Sequence, residues 1–128
     1  MLIQGVGFAR WLNQEMARRD WDRATLADHA RLTPDDVRRL LDEGRPLNGR
    51  LCAALSWAFD ASLAQIAGRA GLVGPEGRDI LARYVEEPHR VLGDLWKETA
   101  HLSRGERSAI VDCVMAARKL RESRSLRS

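Results

Sequence analysis

The sequence predicts an all-α fold. Apolar residues recur at helical spacing along most of the chain, as Val37, Leu40 and Leu41 do at i, i+3 and i+4. Side chains that cap helix N-termini, such as Asp22 and Thr33, stand directly before several of these stretches. No sustained alternation of apolar and polar residues argues for strands.

Five helices are predicted before residue 72, and each ends at a turn or a capping residue. Pro34 follows Thr33 at the first helical position, where its missing N–H costs no hydrogen bond. The predicted helices run from about residue 7 to 18, from Asp22 to near Arg31, from Thr33 to before Gly44, from Asn48 through Leu51, Leu55 and Phe59, and from Ser62 to Gly71.

A Gly/Pro break, "LVGPEG", follows and predicts a linker, so residues 1–72 are expected to fold without the rest. Residues 73–122 form a predicted helical extension, and residues 123–128 a frayed basic tail. The extension holds a helix from Pro75 to Glu86, one carrying Val91, Leu92, Leu95 and Trp96, and one opened by a Ser103–Glu106 capping box. The last helix has an apolar stripe that is either intramolecular core or a dimer seam, namely Ile110, Cys113, Val114, Ala117 and Leu120.

Length and charge bound the class of protein. A chain of 128 residues fits one ordinary domain, and no apolar run approaches the roughly 20 residues that span a bilayer. No signal peptide is recognisable, and Cys52 and Cys113 are expected to be reduced, buried thiols, so we expect a cytoplasmic protein. Residues 1–67 are neutral, whereas residues 117–128 carry a local +4.

The sequence offers no chemistry typical of an enzyme. His29, His89 and His101 stand alone, and no Cys/His/Asp/Glu group has metal-ligand spacing. The sequence contains no phosphate-binding loop, dinucleotide fingerprint or nucleophile elbow. We therefore predict no catalytic residue, no metal and no cofactor.

The stretch from Arg23 to Leu72 resembles the five-helix Cro/phage-repressor-like domain of XRE-type transcription regulators. The resemblance covers residues 7–72 and consists of short segments in the family's order and spacing. They are Leu26-Ala27 with Ala30 in the second helix, Leu32, Thr33 and Val37 at the entry to the third, Ala58 to Leu63 with Ile66, and Ala70-Gly71-Leu72. It implies a lambda-repressor-like helix-turn-helix domain, followed here by the helical extension.

Several positions depart from the family's pattern. Arg31 stands where many members have a glycine in the turn, and Asp60 replaces a helix-ending glycine. Pro34 offers no side-chain donor at the start of the third helix. A common buried ion pair between the first and third helices is replaced by Met16 and Leu41, and such an exchange can be neutral because both desolvation penalties disappear.

By this resemblance the outward face of the third helix reads bases in the major groove. Asp35, Arg38 and Arg39 are the candidates, with Arg39 able to bind guanine and Asp35 able to hold its guanidinium. The alternative is that two solvated ion pairs, Asp35–Arg39 and Arg38–Asp42, account for this face.

Further polar residues around the third helix complete the predicted DNA-binding set. Thr33 caps that helix, and Arg23 matches a position that commonly meets phosphate. Arg45, Asn48 and Arg50 flank the turn into the fourth helix, where they are placed to meet the same strand. Ordinary solvated side chains are the alternative interpretation.

The sequence thus predicts a cytoplasmic, sequence-specific regulator that binds double-stranded DNA, as a repressor and a homodimer. The alternative is a helix-turn-helix fold used as a protein-interaction module, such as an antitoxin-like or regulatory partner subunit. The neutral charge of residues 1–67 favours that alternative.

Overall fold

The protein is all-helical in a computed structural model that describes residues 3–127, with side chains from 7 to 123. These residues contain helices only and no strand. None of the helices in this range is both long and apolar enough to cross a membrane. The helices are α1 (Ile3–Arg18), α2 (Arg23–Ala30), α3 (Pro34–Asp42), α4 (Gly49–Phe59), α5 (Leu63–Arg69), α6 (Pro75–Glu86), α7 (Leu92–Glu98) and α8 (Arg104–Arg127).

The predicted N-caps of the four helices α2 to α5 are confirmed. The side chains of Asp22, Asn48 and Ser62 each accept a hydrogen bond from the backbone N–H three residues on. Thr33 and Asp36 form a full capping box at α3, in which each side chain accepts from the other's backbone N–H. Local sequence therefore fixes where these helices begin.

The capping box predicted at residues 103–106 is only half formed. Ser103 Oγ accepts from the Glu106 backbone N–H at 3.2 Å. The Glu106 carboxylate instead accepts a hydrogen bond from Gly74 N at 2.8 Å, just before α6. Glu106 thus connects the start of α8 to the start of α6, where the helix dipole of α6 favours a carboxylate.

Three non-glycine residues of the described range lie in the left-handed region, namely Asp20 after α1 and two others in the turns after α2 and α4. Arg31 ends α2 with φ of 56°, and Asp60 ends α4 with φ of 53°. At Arg31 and Asp60, members of the family that the sequence resembles carry glycine, which is the least strained residue in this conformation. Aspartate tolerates the left-handed region better than arginine, so more strain lies in the turn between α2 and α3.

One hydrophobic core joins the first five helices to the last three. Leu51 and Leu55 of α4 and Ile110 and Val114 of α8 are fully buried in the same cluster. Gly49 lets the two backbones meet, because a Cβ there would lie 2.6 Å from backbone atoms of α8. The division predicted at residue 72 therefore passes through a continuous core.

The two cysteines meet at this contact between α4 and α8. Both thiols are free and fully buried, as the sequence predicts. A hydrogen bond with the thiol of Cys113, together with burial, raises the pKa of Cys52 far above its ordinary value. Both groups therefore behave as small apolar side chains.

The apolar stripe of α8 belongs to the core of its own chain. Ile110, Cys113 and Val114 are buried, and Ala117 and Leu120 pack partly buried against them. The intramolecular interpretation of this stripe is therefore confirmed. The helix also continues to Arg127, so the fraying expected after Glu122 is not seen, because residues 123–127 contain no helix-breaking proline or glycine.

The short helix α7 buries only one of its four predicted apolar residues. Leu95 is in the core, whereas Val91 is 64% exposed and Trp96 is 53% exposed. The Arg107 guanidinium lies 3.4 Å from the ring centre of Trp96 and donates to its carbonyl oxygen at 2.7 Å. A helix of this length can bury only one of its sides in the core. On the other side, the Arg107 guanidinium from α8 covers part of the Trp96 ring.

Candidate nucleic-acid interface

The predicted DNA-reading surface is built on α3 and the ends of its neighbours. Residues 31–33 join α2 to α3, and the α3 N-cap holds the first turn in place. Val37 and Leu40 are buried and anchor the inner side of α3, which turns its polar residues outward. The term "α3 face" is used here for these outward residues and their partners, which are Arg23, Asp35, Asp36, Arg38, Arg39, Asp42, Glu43 and Arg45.

Arg39 forms an ion pair with Asp35 on the outer side of α3. Its Nε lies 3.0 Å from Asp35 Oδ2, and both side chains are about half exposed, at 48% and 53%. The predicted Asp35–Arg39 ion pair is therefore confirmed. The two side chains approach most closely at this nitrogen, so the two terminal amino groups of Arg39 lie farther from the carboxylate. Those groups form the fork that matches guanine O6 and N7.

Arg38 is bound more completely. It donates to Asp35 from Nη2 at 2.7 Å and from Nε at 3.2 Å, and its Nη1 binds Glu43. The hydrogen bond from Arg38 lowers the pKa of the Asp35 carboxyl, and the charge of Arg39 adds to the effect. Arg38 thus connects the first turn of α3 to its C-cap residue, Glu43.

The predicted Arg38–Asp42 ion pair is wrong. Asp42 instead binds Arg23 in a bidentate pair, with distances of 2.9 and 2.6 Å. The pair joins the start of α2 to the end of α3, and its hydrogen bond lowers the pKa of Asp42. Arg23 binds both oxygens of Asp42 at once, whereas Arg38 already binds Asp35 and Glu43.

Three other predicted residues have structural partners. Thr33 Oγ1 accepts from Asp36 N at 3.0 Å, and Asn48 Oδ1 accepts from Leu51 N at 2.9 Å. Arg45 Nη1 donates to Asp36 Oδ1 at 3.2 Å, and Arg45 is the least exposed arginine of the predicted set. These contacts order the α3 N-terminus and the turn into α4.

Arg50 lies apart from the ion pairs of the α3 face. It is exposed and lines the groove between the start of α4 and the second half of α8, beside Lys119. The eight predicted residues are therefore divided between two surfaces. Seven take part in the contacts around α3 and the start of α4, and Arg50 faces α8.

The α3 face has no net charge. Its four arginines each contact at least one of its four carboxylates. Sequence reasoning missed Asp36 and Glu43 as members of this network. Asp36 was recognisable as the third residue after a threonine N-cap, whereas nothing local indicates that Glu43 folds back on Arg38. The arrangement suits directional hydrogen bonding better than bulk attraction of phosphate.

The chain matches no protein-family model, no curated protein and no solved structure in comparisons with known proteins. Among the described residues, no group of histidine, cysteine, aspartate and glutamate side chains is arranged to hold a metal ion. The geometry of the α3 face is therefore the basis for a functional proposal.

Proposed function

We propose that the protein is a sequence-specific DNA-binding transcriptional regulator whose first five helices form a lambda-repressor-like helix-turn-helix arrangement within the shared core. The observation that carries the proposal is the ion pair between Arg39 and Asp35. The Arg39 guanidinium pairs with Asp35 most closely at Nε, and we assign its more distant terminal amino groups to the base. An arginine held in this way loses little side-chain entropy when it binds guanine bidentately.

The other residues of the α3 face support this role in different ways. Arg38 and Asp35 hold the outer surface of α3 in one arrangement. Arg23, which binds Asp42, is placed at the start of α2 to exchange that carboxylate for a DNA phosphate. Repression by occupancy of an operator, as a dimer on two half-sites in the cytoplasm, is the form of regulation that we propose.

A second candidate function rests on the neutrality of the same face. Four arginines that already bind four carboxylates give a polyanion little to gain. A protein partner with its own mixed charges is better matched to such a surface. The second candidate is therefore a helix-turn-helix fold that serves as a protein-interaction module.

Selection of bound sequences from random duplex DNA by the full-length chain separates these two candidates. We expect enrichment of an inverted repeat whose half-sites contain a conserved guanine, because a dimer places two copies of Arg39 symmetrically. The Arg39→Ala variant is the matched control and should lose the preference at that guanine. Absence of any enriched sequence would rule out the regulator and favour the interaction module.

A further inference from the structure

A small cleft lies between the turn that joins α2 to α3, the first half of α4 and the second half of α8. Its volume is about 250 Å³. Pockets that take drug-sized ligands measure roughly 300–1,000 Å³, so this one suits a smaller molecule. Its floor is apolar and consists of Ala30, Leu32, Ala54, Ala116 and Leu120. We call it the α8 cleft.

Three cations line the α8 cleft, and no carboxylate does. Arg31 comes from the turn after α2, Arg50 from α4 and Lys119 from α8, and all three are exposed. Ser123 is the remaining polar residue of the lining. Within the described residues none of the three cations forms an ion pair, so the cleft keeps its positive charge.

The α8 cleft differs from the neighbouring surfaces because no acidic side chain lines it. Every arginine of the α3 face has a carboxylate partner. The adjoining groove shares Arg50 and Lys119 with the cleft, but Asp112 and Glu122 also line it. Three like charges around one cleft repel each other, and an anion bound among them removes that repulsion. A ligand that covers the apolar floor also gains binding free energy from the burial of apolar surface.

We propose that the α8 cleft binds a small carboxylate or phosphate monoester that carries an apolar group. The anion would contact Arg31, Arg50 and Lys119, and the apolar group would cover Leu32 and the alanines of the floor. Leu32 directly precedes Thr33, the N-cap of α3, so a bound ligand would contact the segment that positions α3. The binding does not depend on whether the protein binds DNA, so the two proposals fail separately.

Methyl NMR of the full-length chain tests the proposal with defined probes. Benzoate supplies both an anion and an apolar ring, acetate and inorganic phosphate supply only the anion, and benzyl alcohol supplies only the ring. We expect benzoate to shift the methyl signals of Ala30, Ala54 and Ala116 saturably, and to bind more tightly than each of the other three probes. Equal binding of acetate, phosphate or benzyl alcohol would overturn the proposal, as would benzoate shifts that avoid these alanines.

Charge-removing variants test which side chains bind the anion. Arg50→Gln and Lys119→Gln should each weaken benzoate binding about tenfold or more, as expected for loss of a charge-assisted hydrogen bond. Arg104→Gln, on the exposed start of the same α8, removes the same charge outside the cleft and should leave the affinity unchanged. If all three variants bind benzoate as the native chain does, or all three weaken it equally, the α8 cleft is not the site.

Discussion

A chain that ends at Leu72 is expected to lose the cooperative unfolding transition of the full-length protein. The truncation removes Ile110 and Val114, which are fully buried against α4, and leaves the inner side of α4 exposed to water. Each buried aliphatic side chain contributes about 1.5–3 kcal/mol, and several such losses exceed the roughly 5–15 kcal/mol stability of a typical domain. Thermal unfolding followed by circular dichroism measures the effect.

A chain that ends at Glu122 is the matched control. It keeps every residue of the core cluster, so its unfolding temperature should stay close to that of the full chain. If the chain that ends at Leu72 unfolds cooperatively at the temperature of the full-length protein, the single shared core is contradicted. That result would instead support the independent folding of residues 1–72 that the Gly/Pro break predicts.

Substitution of Gly49 should produce the second largest loss of stability. A Cβ at this position would lie 2.6 Å from the Asp112 carbonyl carbon and from Cys113 N, and backbone atoms cannot rotate away. We expect Gly49→Ala to lower the free energy of unfolding by about 1–3 kcal/mol, and Gly49→Val to lower it further. Urea unfolding of each variant gives this value directly.

Gly7 in α1 provides the comparison. An added Cβ there meets nothing within 4 Å, so Gly7→Ala should raise the free energy of unfolding by about 0.5–1 kcal/mol through helix propensity alone. If Gly49→Ala is as stable as Gly7→Ala, the close approach of α4 to α8 does not hold in solution.

The helices and their caps were predictable because the signals that set them are local. Thr33, Asn48 and Ser62 cap the helices that the sequence assigns to them. Asp60 ends α4 in the left-handed conformation, at the position where it replaces a helix-ending glycine. Each of these contacts spans only a few residues. A pattern of that length is fully visible in the sequence.

Contacts between distant helices were not predictable in the same way. The pattern i, i+4 offers Asp42 to Arg38, but folding brings Arg23 to Asp42 with better geometry. On α7 the spacing of Trp96 is typical of a core residue, yet the helix is too short and too peripheral to bury it. The candidate α8 cleft likewise depends on Arg31 and Lys119, which lie 88 positions apart in the chain and meet only after folding.

We propose that Asp35 positions Arg39 to read a base, and the DNA affinity of the Asp35→Ala variant tests this role most directly. Binding is measured on the selected site and on random duplex DNA at one salt concentration. Asp42→Ala is the control, because it releases Arg23 from its carboxylate without touching Arg39. Loss of an acid alone should tighten the binding of this control on both duplexes alike.

Asp35→Ala is predicted to behave differently from that control. It should bind random DNA more tightly, since Arg38 and Arg39 lose a carboxylate partner. On the selected site it should bind more weakly, because Arg39 is no longer held in place. The loss should reach at most about 1–3 kcal/mol, the contribution of one bidentate base contact. If Asp35→Ala tightens binding to both duplexes as Asp42→Ala does, the α3 face is a solvated network of ion pairs and reads no base.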